Sequence, residues 1–252
     1  MPKTFLNLSS LDGTNGFQID GIENGDRSGF SVSSAGDVNG DGLDDIIIGA
    51  PYANSDYEVD TGESYVLFGS ASWSLSNINL SSLDGKNGFQ IIDGDSYNFD
   101  IEFSGYSVSS AGDVNGDGVD DIIIGTPRQD QGSKDAAGAS YVVFGLTDWS
   151  LAELDLSSLD GSNGFQVNGI NANDFSGNSV SSAGDVNGDG VDDIIIGANG
   201  TDANAEVNAG ASYVVFGSTD WSLAELDLSS LDGSNGFQIN GINSDDLSGG
   251  SV

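Results

Sequence analysis

Residues 37–45 read Asp37-Val38-Asn39-Gly40-Asp41-Gly42-Leu43-Asp44-Asp45, and three isoleucines follow at once. The oxygens of Asp37, Asn39, Asp41 and Asp45 occupy positions 1, 3, 5 and 9 of this loop and can converge on one point. The Leu43 carbonyl at position 7 can join them, and Gly40 and Gly42 permit the sharp turns. Left alone, the cluster repels itself: two like charges 4 Å apart cost about 1 kcal/mol in water and about 4 kcal/mol at an effective dielectric of 20. A hard divalent cation with oxygen ligands removes that cost. Calcium accepts irregular cages of oxygens, whereas magnesium demands a near-ideal octahedron and keeps its water. The competing reading is a solvated Asp/Gly turn. Against it, the loop recurs at 113–121 and 185–193 with the same acids at the same places. The first half matches an EF-hand loop, D-x-N-x-D-G, but position 12 is Ile48 rather than glutamate, and β-branched residues stand where a helix would leave. The expected element is therefore a strand–loop–strand calcium site.

Composition narrows the partners. The 252 residues include 40 acidic and five basic side chains, a formal charge of −35. Nucleic acid and anionic lipid are repelled by such a field, and cations are attracted. With no cysteine and no histidine, disulfides, thiolate or imidazole metal sites and histidine-based catalysis are excluded. No apolar run is long enough for a membrane span, and the opening MPKTFLNLSSLDG has no apolar centre of the secretory kind.

The acidic loops belong to a longer repeat. Asp37, Asp113 and Asp185 stand 76 and 72 residues apart, and Trp73, Trp149 and Trp221 keep the same spacings. Asn-Gly-Phe-Gln begins at 15, 87, 163 and 235, and residues 149–171 and 221–243 differ only at Val167 against Ile239. Approximate repeats are 5–79, 80–155 and 156–227, with a partial repeat at 228–252. Within a repeat, turn signals separate short strands near 29–38, 45–50, 62–69 and 87–93. WSLAELDLSSL offers at most one short turn of helix. Consecutive Ile46, Ile47 and Ile48 require cover on both faces of their strand, and the small residues of SVSSAG suit a crowded centre. The expected class is all-β: β-propeller blades of four antiparallel strands, three complete and the start of a fourth. A two-sheet sandwich would favour alternation instead.

GDVNGDGLDDIIIGAP, GESYVLFG and their copies resemble the FG-GAP repeat of integrin α-subunit β-propellers and of many bacterial surface proteins. The resemblance covers nearly the whole chain, so 1–252 reads as one FG-GAP repeat array. It implies about three calcium ions per chain. Their ligands would be Asp37, Asn39, Asp41, the Leu43 carbonyl and Asp45; Asp113, Asn115, Asp117, the Val119 carbonyl and Asp121; and Asp185, Asn187, Asp189, the Val191 carbonyl and Asp193. Asp44, Asp120 and Asp192 fall outside that set, facing solvent or the ligands' surroundings. Two departures stand out. The repeats are longer than usual for the family, and family propellers close with about seven blades. A fragment of a longer array, or a partial ring completed by a second copy, is expected.

The variable loops 51–62, 127–138, 199–210 and 93–105 should emerge on the face opposite the acidic loops, the face that binds ligand in integrins. Tyr52, Tyr57, Tyr97, Phe99 and Arg128 are the candidate contacts there for a protein or carbohydrate ligand. The tryptophans suit either sugar stacking or, preferably, packing at blade edges. Asn7, Asn79 and Asn199 begin N-x-S/T triplets, a weak glycosylation signal. The functional expectation is a non-enzymatic, calcium-binding module for adhesion or binding outside the cell or at its surface, in a bacterial setting. The alternatives are a self-assembling surface scaffold and a carbohydrate-active enzyme built on a propeller.

Overall fold

The computed structural model describes residues 7–54, 61–72, 75–93 and 102–252. Its strands, among the described residues, are β1 (Gln18–Asp20), β2 (Ser31–Gly36), β3 (Asp45–Ala50), β4 (Glu63–Leu67), β5 (Asn77–Asn79), β6 (Gly88–Ile92), β7 (Ser107–Gly112) and β8 (Asp121–Thr126). The second half continues with β9 (Ala139–Val143), β10 (Glu153–Asp155), β11 (Gly164–Asn168), β12 (Ser176–Gly184), β13 (Asp193–Ala198), β14 (Ala211–Val215), β15 (Glu225–Asp227) and β16 (Gly236–Asn240).

Three antiparallel four-stranded sheets form the blades: β2-β3-β4-β6, β7-β8-β9-β11 and β12-β13-β14-β16. Each expected strand is present in the expected order. The innermost strands β2, β7 and β12 lie against one another, where serine, alanine and glycine permit close approach. Ser107 Oγ donates across the blades to Gly177 O at 2.8 Å, and Val108 N donates to Ser31 Oγ at 3.1 Å. A Cβ on Gly125 would stand 2.0 Å from Gly177 O, so only glycine fits there.

The isoleucine triplet is covered on both faces. Ile122 and Ile124 pack into the core shared with the first blade, among Val66, Phe89 and Ile91, while Ile123 packs into the core shared with the third, among Phe165, Ile194 and Tyr213. Alternate side chains of one strand thus serve two interfaces.

The structure adds an element that strand propensity does not show. β10 joins the outer edge of the first blade in parallel, pairing Leu154 with Ile91, and β15 does the same for the second blade, pairing Leu226 with Val167. β5 pairs with β1 in the same register, Ile78 with Ile19. Strands β5, β10 and β15 each run into a single 3₁₀ turn, Leu80–Ser82, Leu156–Ser158 and Leu228–Ser230. The residue before the turn caps it: Asn79 and Asp155 accept from Ser81 N and Ser157 N, each at 2.9 Å. Asn7 caps the turn Leu8–Ser10 in the same way. The triplets at Asn7 and Asn79 therefore have a local structural role.

Candidate metal loops and the opposite face

Each acidic loop joins the innermost strand of a blade to the next. In the first, Asp37 Oδ1 accepts from Asp41 N at 2.9 Å and Asp37 Oδ2 from Gly42 N at 2.8 Å. Asn39 Oδ1 also accepts from Asp41 N at 2.9 Å, and Asp41 Oδ1 from Leu43 N at 2.9 Å. Asp37, Asn39 and Asp41 are thereby gathered around one turn. Asp45 lies buried beneath it, its Oδ2 accepting from Val38 N at 3.0 Å and its Oδ1 from Gly69 N at 2.7 Å.

The other loops repeat the pattern. Asp113 accepts from Asp117 N and Gly118 N, and Asp121 from Val114 N and Gly145 N. Asp185 accepts from Asp189 N and Gly190 N, and Asp193 from Val186 N and Gly217 N. Asn115 and Asn187 accept from the same amides as the first residues of their loops. Val119 and Val191 occupy position 7 and are buried.

Burial, opposed by the amide bonds and reinforced by the two neighbouring loop aspartates, pushes the Asp45 carboxyl up to about 6 and that of Asp121 up to about 8. The same three acids would hold both charge and oxygen for a hard cation, which offsets that penalty. Among the described residues no three acids already stand as a closed ligand cage. The donor set is oxygen throughout, as calcium requires, and it recurs three times.

The eighth loop residue is not a bystander. Asp120 Oδ2 accepts from the backbone N–H of Asp37 in the preceding blade at 2.8 Å, and Asp192 Oδ2 from that of Asp113 at 3.1 Å. Asp44 is exposed, without such a partner among the described residues. The tryptophans brace the same loops. Trp149 stacks on Phe89 with ring centroids 4.1 Å apart, and its indole N–H donates to Val38 O at 2.9 Å. Trp221 stacks on Phe165 at 4.0 Å and donates to Val114 O at 3.0 Å. These two tryptophans pack between blades, as preferred over sugar stacking; Trp73 lies outside the described residues.

By strand direction, residues 51–54 and loops 127–138 and 199–210 leave at the opposite end from the acidic loops, while most of the expected loops 51–62 and 93–105 lies outside the described residues. There Arg27 lies over the Tyr52 ring at 4.0 Å and Arg128 over the Phe103 ring at 5.1 Å. Tyr52 and Phe103 are 4.7 Å apart, and Phe30 and Tyr106 5.0 Å. A cleft of about 450 Å³ is lined by Tyr52, Phe103, Tyr106, Arg128, Phe175 and Leu247, among others. Phe103, Phe175 and Leu247 hold left-handed φ of 61°, 54° and 52°, a costly state for bulky residues. Tyr52 and Arg128 sit where expected, while Tyr57, Tyr97 and Phe99 lie outside the described residues. Phe30, Phe103 and Tyr106 were not singled out from the sequence; their signal is an aromatic directly before or after Ser-Gly, at Phe30, at Phe103 and Tyr106, and at Phe175.

Comparison with known proteins agrees with this architecture. The FG-GAP repeat model matches residues 28–67, 104–143 and 176–215, the inner three strands of each blade. Integrin alpha pat-2 of Caenorhabditis elegans is 32% identical over 190 residues, covering 70% of this chain and 14% of its own. Integrin alpha-2 of Bos taurus is 28% identical over 204 residues, covering 76% and 15%. A Bos taurus phosphatidylinositol-glycan-specific phospholipase D is 29% identical over 174 residues, covering 68% and 18%. The chain belongs to the FG-GAP repeat family, in its integrin α-like β-propeller form. It spans less than a fifth of the length of these curated relatives.

Proposed function

We propose that the chain is a calcium-stabilised propeller module for adhesion-type binding outside the cell or at its surface. The observation that carries this reading is the threefold repetition of one all-oxygen donor set on one propeller face. In the first loop Asp37, Asn39, Asp41, Asp45 and the Leu43 carbonyl would hold the ion, with their counterparts in the other two. Calcium supplies no chemistry here beyond charge neutralisation and cross-linking of oxygen donors. Sites of extracellular type bind at roughly 10⁻⁴ to 10⁻³ M. At tenfold excess over the dissociation constant each contributes about 1.4 kcal/mol. Three such contributions are comparable with the net stability of a small domain.

The opposite face is proposed as the surface for a protein or carbohydrate ligand, supported by its aromatic and arginine side chains and its strained residues. Nucleic acid is disfavoured by the charge, and among the described residues no helix is long and apolar enough to cross a membrane. The non-enzymatic reading is supported by the integrin relatives. The phospholipase relative makes a phosphodiester assay the appropriate check, beside product analysis on glycans. The calcium reading is tested by thermal melts in millimolar calcium and in excess chelator, with separate melts expected; superimposed melts would refute it.

A further inference from the structure

The chain has two arginines, and both belong to one row of side chains on the face opposite the acidic loops. Arg27 lies over the Tyr52 ring, Tyr52 packs against Phe103, and Arg128 of the second blade lies over Phe103. Both arginines are exposed, and both rings are half-buried. A guanidinium resting on a ring face keeps its N–H edges for other partners.

The fold does not require this row. One backbone contact sets each loop pair: Tyr52 N donates to Asp26 O and Arg128 N to Glu102 O, each at 3.3 Å, and Gly200 N donates to Asp174 O at 3.1 Å. The two positions at that contact hold Arg27 and Tyr52, then Phe103 and Arg128, then Phe175 and Gly200. The third blade therefore forms the same contact with no cation, and the arginines are surplus to its construction. Arg27 and Phe103 also hold left-handed φ of 57° and 61°, a state that glycine would adopt without cost.

We propose that the cleft beside this row binds an acidic saccharide, a glycan whose uronic acids are spaced by neutral sugars. Arg128 lines the cleft and takes a carboxylate through paired N–H donors. Arg27, beyond Tyr52, adds a second positive charge. Tyr52 and Phe175 offer ring faces to the sugar, and the amides of Asn199 and Asn208 on the same wall take its hydroxyls. The volume of about 450 Å³ is that of a small-ligand site. The chain's charge of −35 decides against an acidic peptide. Contiguous negative charges are repelled by that field, whereas an isolated carboxylate among hydroxyls meets the arginines at close range. The inference rests on the ligand face proposed above and names its ligand class.

Calorimetric titration of a hyaluronan tetrasaccharide into the chain in millimolar calcium tests it, beside the same sugar with its carboxylates reduced to alcohols. Saturable binding of the acid form is expected, weakened about tenfold or more by the reduction. R128Q is expected to weaken the acid form by a similar factor and to leave the reduced form unchanged. R128K, which keeps the charge but not the paired donors, should fall between. K86Q removes the same charge from an exposed turn at the other end of the strands and is expected to change nothing. Thermal melts confirm that each variant folds; should R128Q misfold, the two sugars still decide. Equal binding of both sugars would overturn the carboxylate and leave the ligand face standing. An acid sugar that does not bind, an R128Q chain that binds like wild type, or a preference for tetraglutamate would each overturn the proposal. The calcium reading is judged separately, by its own melts.

Discussion

The carboxylate of Asp120 accepts the backbone N–H of Asp37, 83 residues earlier in the chain, across a blade boundary at 2.8 Å. The eighth residue of one loop thus orients the first residue of the loop before it. Asp192 and Asp113 repeat the contact at 3.1 Å. Removing the acceptor strands a part-buried amide, which costs about 1–3 kcal/mol. D120A is expected to lower the melting temperature by several degrees. D44A, at an exposed position of the same sequence type, is expected to leave the melt unchanged. Differential scanning calorimetry on the pair checks this.

The tryptophan brace separates stacking from hydrogen bonding. W149F keeps a ring against Phe89 but loses the N–H donated to Val38 O. The expected cost is about 1 kcal/mol. W149A loses both the ring and the bond and is expected to cost about 3–5 kcal/mol. Urea unfolding of the two variants should give that order, and an equal loss would show that the stack contributes nothing.

Much of this architecture is legible from residue order. Ile46–Ile48 demanded cover on two faces, and Ile122–Ile124 receive it from two different blades. Small residues in SVSSAG foretold the crowded centre. β5, β10 and β15 were not legible, because three residues such as Asn77-Ile78-Asn79 carry no periodicity and the strand that β5 pairs with, Gln18–Asp20, stands at the far end of the same repeat. The brace by Asp120 was missed for a related reason. Its sequence neighbours are loop acids, and only the stacking of blades brings Asp37 N–H to its side chain. The gathering of Asp37, Asn39 and Asp41 around one turn was readable from their spacing, whereas the burial of Asp45 and Asp121 was not.

That burial sets a pH dependence. Without a cation, Asp45 and Asp121 titrate near 6 and 8, above the usual carboxylate value of 3.8. The folded chain therefore binds protons that the unfolded chain has released. This contribution to stability is present at low pH and is lost as pH rises through about 6 and then about 8. In chelator the melting temperature is expected to fall between about pH 5.5 and pH 8.5. In millimolar calcium the trend should flatten or reverse, because the ion requires the ionised carboxylates. A falling trend of equal slope in both conditions would show that calcium does not engage these groups.

Individual loops should act as separate sites. D113A removes the first donor of the second loop and the acceptor for Asp117 N and Gly118 N. Calcium stoichiometry is expected to fall by one ion, with the other two loops retaining theirs. Direct metal analysis after equilibrium dialysis checks the count.

The central claim is tested most directly by calorimetric titration of calcium into the chelator-stripped chain, with the melt recorded before and after. The account predicts one ion bound per acidic loop, at dissociation constants of roughly 10⁻⁴ to 10⁻³ M, and a melting temperature raised by about ten degrees. A flat isotherm through millimolar calcium together with an unmoved melt would contradict it.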